Sequence, residues 1–213
     1  MATLLLSCFD PFGEDSQNPT ALIAQSLHNT PLDSGHLIKT CTLPVVRYAA
    51  TDLLVQQIAQ HQPLWVVCLG QASGRTDITP EKVAINLDDY RIPDNQGNQI
   101  IDEPIRADGP TAYFSGLPVK AIVQQIQGQG INASVSYSAG TFVCNHLMYG
   151  LLDYINLEKK AIKAGFIHTP ALPEQLPQGP NMSLEQQIQA IKLACEAITT
   201  HDEDIRLNTG KIA

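Results

Sequence analysis

Apolar residues along this chain follow two alternating patterns. Short uninterrupted apolar runs, typical of buried strands, alternate with segments in which apolar residues return every three or four positions, as in amphipathic helices. The predicted strands are Thr3–Cys8, Leu37–Leu43, Leu64–Leu69, Val83–Leu87, Ala133–Ser136 and Ala161–His168. The predicted helices are one opening at Asn18-Pro19, then Tyr48–Ala59, Pro118–Gln127 and Asn145–Ile155, and a last one starting at Ser183.

The last helix shows how strong this signal can be. Its apolar positions step by 4, 3, 4 and 3 residues, and Ser183 with Gln186 three residues later forms a capping box. Regular alternation of strands and helices predicts an α/β sandwich with a largely parallel sheet. Without a convincing linker, the 213 residues (1–213) are expected to form a single domain.

One long segment carries no clear period. Asp94–Gly116 contains several Gly, Pro, Asp and Asn residues, which predicts a surface loop or arm. A loop of that length in a compact domain often serves as a lid or an oligomer contact.

Charge and composition narrow the function classes. Thirteen basic and 21 acidic residues give a net charge of −8, and no basic excess exists to neutralise phosphates. We therefore expect neither a nucleic-acid partner nor an anionic membrane surface. No apolar run approaches the roughly 18 residues of a membrane span, and the N-terminus does not resemble a signal peptide. Five cysteines, an odd number without close pairs, suggest reduced thiols, so a cytoplasmic location is expected.

The first candidate for chemistry is Cys144. It lies in the stretch Ser138–His146, between a turn of small residues and an amphipathic helix. Unpaired N–H groups at a helix start favour a thiolate, the nucleophilic form of cysteine. We therefore expect Cys144 to be a nucleophile in its thiolate form.

A cysteine nucleophile needs a base, and two histidines compete for that role. His146 is nearest in sequence, but residues i and i+2 of a helix point ~200° apart, so it should not meet Cys144. His168 ends an apolar strand, and the active sites of open α/β sheets gather at the carboxyl ends of strands. His168 is therefore the preferred base.

The group that orients the base is less determined by the sequence. Glu81 belongs to the loop after the third strand and lies at the same predicted sheet edge. Asp77, Asp88 and Asp89 compete with it on equal terms, and the pattern alone does not choose between them.

Two aromatic residues suggest a substrate pocket. Phe9 and Phe12 follow the first strand, where aromatic side chains often line a ligand crevice. The sequence has no His-Glu-x-x-His, Cys-x-x-Cys or EF-hand spacing, so no metal site is expected. Gly70–Gly74 lacks the lysine of a phosphate loop, and no nucleotide cofactor is expected.

Four motifs together resemble the pyroglutamyl peptidase I (pyrrolidone-carboxylate peptidase) family of cysteine peptidases. Their order and spacing match over about residues 3 to 200, and the set in register is highly specific. The motifs are Phe9–Gly13 with Asn18-Pro19; Gly70-Gln71 through Gly74-Arg75 to Pro80-Glu81 and Ala84–Asn86; Ser138–Asn145; and Gly165–Pro170 with Leu172–Gln175.

The resemblance implies a triad of Glu81, Cys144 and His168, which raises Glu81 above the competing aspartates. It implies removal of an N-terminal pyroglutamyl (5-oxoproline) residue from peptides without a cofactor, by a homotetramer. The implied fold is a three-layer α/β/α sandwich around a mostly parallel, twisted mixed sheet of the phosphorylase/hydrolase-like type. The substrate-binding positions that it implies are Phe9, Phe12, Asn18, Gln71, Arg91, Phe142 and Val143.

The chain departs from the family pattern at three positions. The family often has Gly at positions 8 and 14 and Asn at position 137, where this chain has Cys8, Glu14 and Tyr137. These departures keep open a cysteine amidohydrolase of the same fold that acts on another small lactam or acyl amide. A silent binding protein and a nucleoside phosphorylase-like transferase are further alternatives, but the full set of triad residues argues against the first, and the second lacks a convincing phosphate site.

Overall fold

A central sheet carries the fold, seen in a computed structural model that describes residues 2–13 and 15–210. The strands are β1 (Thr3–Phe9), β2 (Leu37–Leu43), β3 (Trp65–Gln71), β4 (Thr79–Pro80), β5 (Val83–Ile85), β6 (Ala112–Phe114) and β7 (Lys163–Thr169). The helices are α1 (Pro19–Leu27), α2 (Ala49–His61), α3 (Val119–Gln127), α4 (Val143–Leu157) and α5 (Leu184–Thr200).

The main sheet has five strands in the order β2-β1-β3-β7-β4. Its first four strands are parallel, and the short β4 pairs antiparallel with β7. Strands β5 and β6 form a separate antiparallel pair. Because β1, β3 and β7 run in one direction, their carboxyl ends meet at the same edge, as expected for an α/β sheet with a site there.

Helices cover both faces of this sheet and make the predicted three layers. Side chains alternate along each strand, so neighbouring residues enter different cores. Leu4, Val67 and Ile167 pack with α1, α3 and α5 on one face. Leu5 and Phe166 pack with α2 and α4 on the other. Full burial of such a side chain contributes roughly 1.5–3 kcal/mol, and the two cores fix where each helix lies.

Helix α4 is held along its length by apolar contacts. Val143, Leu147 and Leu151 are fully buried, and they recur at four-residue spacing on the face that meets the sheet. This burial positions the start of the helix, and with it Cys144, over the strand ends. None of the helices in the described ranges is long and apolar enough to cross a membrane.

The predicted strand at Ala133–Ser136 is wrong, because only two isolated bridges form there, Ile78 with Ala133 and Glu81 with Ser136. Ser134 N donates to Ile78 O and Ser136 N donates to Pro80 O. The ladder bond between these two would need an N–H on Pro80 to donate to Ser134 O, and proline has none. The ladder is therefore interrupted.

Two short strands were not predicted from the sequence, and a third strand is shorter than predicted. Strands β4 and β6 have only two and three residues, too few to show a period, and β6 lies inside the segment Asp94–Gly116. The predicted strand Val83–Leu87 ends at Ile85. Asp88 and Glu103 form a bridge further on, so the long segment is pinned to the body of the protein.

Candidate active site

A cavity of about 230 Å³ opens at the carboxyl edge of the sheet. Strands β1 and β3 end in it with Phe9 and Gln71, and Cys144 forms part of its wall. The other residues that line it are Phe12, Asp15, Gln17, Asn18, Val45, Ser73 and Phe142.

A glycine makes room for the Cys144 thiol. Gly70 lies opposite His168 in the parallel register of β3 and β7. A Cβ at Gly70 would lie 3.0 Å from Cys144 Sγ and 2.7 Å from Phe166 Cζ. Since paired residues on neighbouring strands point to the same face of a sheet, the thiol and the His168 side chain share that face.

His168 and Glu81 form a buried pair. The antiparallel register places Thr79 opposite His168, and Glu81 follows two residues later on the same face. His168 Nδ1 lies 2.7 Å from Glu81 Oε1. Glu81 is fully buried and His168 is 4% exposed, so the pair is shielded from water.

Arg75 is a member of this cluster that the sequence reasoning missed. Its Nη1 donates to Glu81 Oε1 at 2.7 Å and to Thr79 Oγ1 at 2.6 Å. Its Nη2 donates to the carbonyl oxygen of Ser138 at 3.1 Å. The available signal was a single cation six residues before Glu81 in the loop after β3, which the pattern could not distinguish from a solvated side chain.

The pair is set for proton transfer by its surroundings. Burial alone would raise the pKa of Glu81, but hydrogen bonding and attraction to His168, with help from Ser136 and Arg75, hold that pKa below its usual value. Burial lowers the pKa of His168 and outweighs the opposing pull of Glu81. The stable resting state is therefore an ionised Glu81 beside a neutral imidazole.

Cys144 differs from the sequence-based expectation. Burial raises the pKa of its thiol to about 12, the nearby Glu81 carboxylate adds to this rise, and Arg75 opposes it. The backbone N–H at the helix start acts in the expected direction but is a smaller influence. The expected preference for the thiolate is therefore not met, because desolvation outweighs the effect of the helix start.

His146 belongs to a second buried cluster. Its Nδ1 lies 2.8 Å from Asp88 Oδ2, and its Nε2 accepts the Tyr48 N–H at 3.1 Å. Arg47 Nε lies 3.0 Å from the same Asp88 oxygen. This cluster joins α4 to the start of α2 and is not brought to the Cys144 thiol.

The other carboxylates that competed with Glu81 also lie elsewhere. Asp77 contacts the Thr76 hydroxyl at 2.9 Å. Asp89 is exposed, and its backbone is bonded to Thr141. Of the four candidates, Glu81 is the one whose carboxylate meets His168.

Aromatic rings form the apolar side of the cavity. Phe12 and Phe142 have ring centroids 5.2 Å apart, and Tyr90 packs behind Phe142 at 4.7 Å. Phe9 is buried at the end of β1. Gln71 lies at the rim, where its amide is within 3.4 Å of the Gln175 amide. The four predicted positions Phe9, Phe12, Gln71 and Phe142 therefore meet at one cavity.

Asn18 lines the cavity, but its side-chain amide is engaged with Thr20 and with the backbone of Asp10. Its Oδ1 accepts from Thr20 N and Thr20 Oγ1, at 3.0 and 2.7 Å. Its Nδ2 donates to Asp10 O at 3.1 Å, and Phe9 N donates to Thr20 Oγ1 at 3.2 Å. Asn18 therefore caps helix α1 and holds the loop that carries the two phenylalanines.

Two predicted substrate contacts are not brought to the cavity. Arg91 is exposed, and its carbonyl oxygen accepts from Gln99. The Val143 side chain is fully buried in the core beneath helix α4. Lining positions that were not predicted from the sequence are Asp15, Gln17, Val45 and Ser73.

The departures from the family pattern do not line this cavity where the structure describes them. The Cys8 thiol points to strand β2, 3.4 Å from the Thr42 hydroxyl. Tyr137 is 45% exposed, and its hydroxyl contacts Thr209. Glu14 lies outside the described residues.

An α/β sandwich that places a thiol at a helix start beside a buried imidazole–carboxylate pair has the architecture of a cysteine hydrolase. The sequence model of the pyroglutamyl peptidase family matches residues 2–201. The chain belongs to the pyroglutamyl peptidase family, and it is a cysteine exopeptidase.

Relatives and solved structures agree with this assignment. The pyrrolidone-carboxylate peptidase of Aliivibrio fischeri strain MJ11 is 48% identical, and the match covers 100% of both chains. That of Bacillus thuringiensis strain Al Hakam is 49% identical over 96% of each. Pyroglutamyl peptidase I from Bacillus amyloliquefaciens superposes with a TM-score of 0.95 at 45% identity, covering 97% of this chain and 99% of that one. Pyrrolidone carboxyl peptidase from Thermococcus litoralis gives 0.92 at 39% identity, covering 98% and 100%.

Proposed function

We propose that this protein removes an N-terminal pyroglutamyl residue from peptides, with Cys144 as nucleophile, His168 as acid and base, and Glu81 orienting His168. The observation that carries the proposal is the 2.7 Å contact between His168 Nδ1 and Glu81 Oε1, on the sheet face where Gly70 admits the Cys144 thiol. Membership of the pyroglutamyl peptidase family supports the choice of substrate.

The reaction begins with both partners uncharged. Cys144 Sγ attacks the carbonyl carbon that joins pyroglutamate to the next residue, while His168 Nε2 takes the thiol proton. Coupling the two events avoids a free thiolate, which burial makes costly at this site. Ionised Glu81 stabilises the imidazolium as it forms, because the two groups already share a short hydrogen bond.

The tetrahedral intermediate then collapses with cleavage of the C–N bond. His168 returns its proton to the leaving amine, and an acyl-thioester remains on Cys144. A water molecule, deprotonated by His168, attacks this thioester and releases pyroglutamate and the thiol. The first N–H groups of helix α4 have no intrahelical acceptor, and they are suited to bind the oxyanion.

The cavity suits an uncharged cyclic residue. A pyroglutamyl group has no ammonium to pair with an acidic side chain, so ring packing and a few amide hydrogen bonds must provide recognition. Phe9, Phe12 and Phe142 supply the apolar walls, and Gln71 supplies a polar rim. We assign the lactam to this aromatic side.

We also propose a cytoplasmic homotetramer, as the family resemblance implies. Apolar side chains remain exposed on the single chain, with Phe114 at 75% and Ile101 at 78% exposure. Sedimentation equilibrium of the purified protein tests the tetramer, because a 23.2 kDa species at all concentrations would contradict it.

The decisive experiment is release of a fluorescent amine from its pyroglutamyl amide, with the matching prolyl amide as control. Proline lacks the ring carbonyl and carries a charged nitrogen, so selective turnover of the pyroglutamyl compound establishes the specificity. Folded, reduced protein that turns over neither compound would contradict the proposal.

The nucleophile is tested with the same assay. Cys144→Ser should abolish detectable turnover while leaving the far-ultraviolet circular dichroism unchanged. Cys195→Ser is a matched control, because Cys195 is fully buried in the opposite core. Retained activity in Cys144→Ser would exclude Cys144 as the nucleophile.

A further inference from the structure

Arg75 contacts both halves of the proposed site without being one of its three reacting residues. Its Nη1 donates to Oε1 of Glu81, the carboxylate that orients the base. Its Nη2 donates to the carbonyl oxygen of Ser138, which begins the turn before Cys144. One rigid guanidinium therefore joins the carboxylate to the nucleophile turn.

Glu81 Oε1 receives two donors at the same distance. His168 Nδ1 and Arg75 Nη1 both lie 2.7 Å from this oxygen. A guanidinium has donors and no acceptor, so the hydrogen bond from Arg75 favours an ionised Glu81. An ionised carboxylate accepts a hydrogen bond from the N–H at Nδ1 of His168, which leaves Nε2 free to accept the proton of the thiol.

The same side chain restrains the turn that leads into helix α4. Ser138 O accepts from Arg75 Nη2 at 3.1 Å and from Ser136 Oγ at 3.2 Å. The Ser138 hydroxyl in turn accepts the N–H of Gly140 at 3.2 Å, and Gly140 has φ +80°. Because this turn sets the entry of α4, holding its carbonyl also holds the N–H groups suited to the oxyanion.

The charge of Arg75 acts on the same groups. Arg75 helps to lower the pKa of Glu81, and its positive charge also lowers the pKa of His168 and that of the Cys144 thiol. Each effect is a minor one beside burial. The effect on Glu81 favours its ionised form, the effect on His168 favours the neutral imidazole, and the effect on Cys144 favours departure of the thiol proton.

We propose that Arg75 is a positioning residue that holds the Glu81–His168 pair and the turn before Cys144 in one fixed arrangement. This inference rests on the proposed function, since it assumes that these groups carry the reaction. It predicts that Arg75 contributes to turnover more than to substrate affinity, because its contacts are to the catalytic groups and it does not line the aromatic cavity.

The test compares Arg75→Gln and Arg75→Lys with a matched control. Arg106→Gln removes another partly exposed arginine, whose Nε lies 3.0 Å from Asp153 away from the cavity. For Arg75→Gln we expect kcat to fall about ten- to a hundredfold with little change in KM, which is the effect of losing a charge-assisted hydrogen bond. The acidic limb of kcat/KM should move to higher pH, because a positive charge that disfavours imidazolium has gone.

The Arg75→Lys variant separates the effect of the positive charge from that of the tether, meaning the two hydrogen bonds by which Arg75 joins Glu81 to the turn before Cys144. A lysine keeps the charge, so its acidic limb should stay near that of the wild type. A single ammonium cannot reproduce the arginine fork, so kcat should be restored only in part. Arg106→Gln should match the wild type in both measurements.

Several results would overturn the proposal. Wild-type kcat in Arg75→Lys would exclude the tether. An unmoved acidic limb in Arg75→Gln would exclude the electrostatic effect and leave Arg75 a merely structural residue. If Arg75→Gln fails to fold, the Arg75→Lys variant still decides the tether.

A second measurement does not depend on peptidase activity. Mass spectrometry can follow the pH dependence of Cys144 alkylation by iodoacetamide. Replacing Arg75 by Gln should move this profile to higher pH, and an unchanged profile counts against the proposal. An active wild type with normal Arg75 variants refutes only the role of Arg75. An inactive wild type refutes the proposed function.

Discussion

Two buried histidines of this protein differ in whether a ring nitrogen remains without a hydrogen-bond partner among the described residues. His168 binds Glu81 through Nδ1, and its second nitrogen remains for the proton of a substrate or thiol. His146 uses both nitrogens, because Nδ1 meets Asp88 and Nε2 accepts the Tyr48 N–H. A base needs a free nitrogen, so His146 is suited to hold α4 in place and not to transfer protons.

We therefore expect alanine variants of the two histidines to fail differently. His168→Ala should lower kcat/KM by about 10²–10⁴-fold, the usual contribution of a general base. His146→Ala should keep most of its activity but lose about 1–3 kcal/mol of unfolding free energy, because Asp88 loses a buried partner. Fluorogenic assays and urea titrations of both variants measure this. Greater activity loss in His146→Ala would reverse the assignment.

Gly70 offers a second test at single-residue scale. A methyl group there would lie 3.0 Å from Cys144 Sγ and 2.7 Å from the Phe166 ring. We expect Gly70→Ala to lower kcat/KM by roughly 10²-fold, the effect of displacing a reacting group by about an ångström. Gly210→Ala is the control, because its Cβ would meet Asn208 at an ordinary 3.6 Å. Full activity in Gly70→Ala would show that the thiol has more room than the geometry allows.

At the scale of elements, the start of helix α1 serves both stability and the cavity. Asn18 accepts the N–H of Thr20 as an N-cap, and it also donates to the carbonyl of Asp10 in the loop between Phe9 and Phe12. Asn18→Ala should therefore cost about 1 kcal/mol of stability and raise KM, because the aromatic wall loses an anchor. Urea unfolding and steady-state kinetics measure the two effects separately.

Helix α5 provides the matched cap for this comparison. The Ser183 hydroxyl accepts the N–H of Gln186, but Ser183 does not line the cavity. Ser183→Ala should lose a similar amount of stability, about 1 kcal/mol, without a change in KM. If both variants leave KM unchanged, the Asn18 contact with Asp10 does not support the substrate wall.

The elements best predicted from the sequence were those in which the apolar pattern repeats over many residues. In α5, the regular apolar spacing predicted the buried face, and Ser183 with Gln186 predicted the cap. The apolar runs at β1, β3 and β7 predicted the parallel core of the sheet. Strands β4 and β6 are too short for any period to show. The segment Ala133–Ser136 has the composition of a strand, but its pairing fails because a residue elsewhere, Pro80, has no N–H.

The sequence predicted that the site lies at the carboxyl edge of the sheet, but not all of its residues. The sequence pattern predicted that Cys144 and His168 lie at that edge. It did not distinguish Glu81 from the aspartates, because the position of Glu81 depends on the antiparallel pairing of a two-residue strand. Arg75 was not predicted because a lone cation in a loop cannot be distinguished by its pattern from a solvated side chain. The thiolate expectation failed because burial, a property of the whole fold, outweighs the local helix start at Cys144.

At the scale of the whole molecule, three buried groups make stability depend on pH in one direction. The pKa of Glu81 lies below 4.5 and that of Asp94 below 3.8 despite burial, because hydrogen bonds and charges stabilise both carboxylates. For Asp94, the Asn98 side chain and the N–H groups of Arg47, Gln96 and Asn98 supply these bonds. Burial holds the pKa of His168 below 6.5. In each case the unfolded chain binds protons more readily than the folded one.

Acidification should therefore destabilise the fold in two stages. Folding stability should first fall below pH 6.5, as the unfolded chain protonates at His168, and then more steeply below about pH 4.5, as Glu81 and Asp94 protonate in the unfolded chain. Urea midpoints between pH 8 and pH 3 measure this. His168→Gln should remove much of the first stage and keep the Asp94 part of the second, since glutamine does not titrate. A urea midpoint that rises on acidification from pH 7 to pH 4 would contradict the argument.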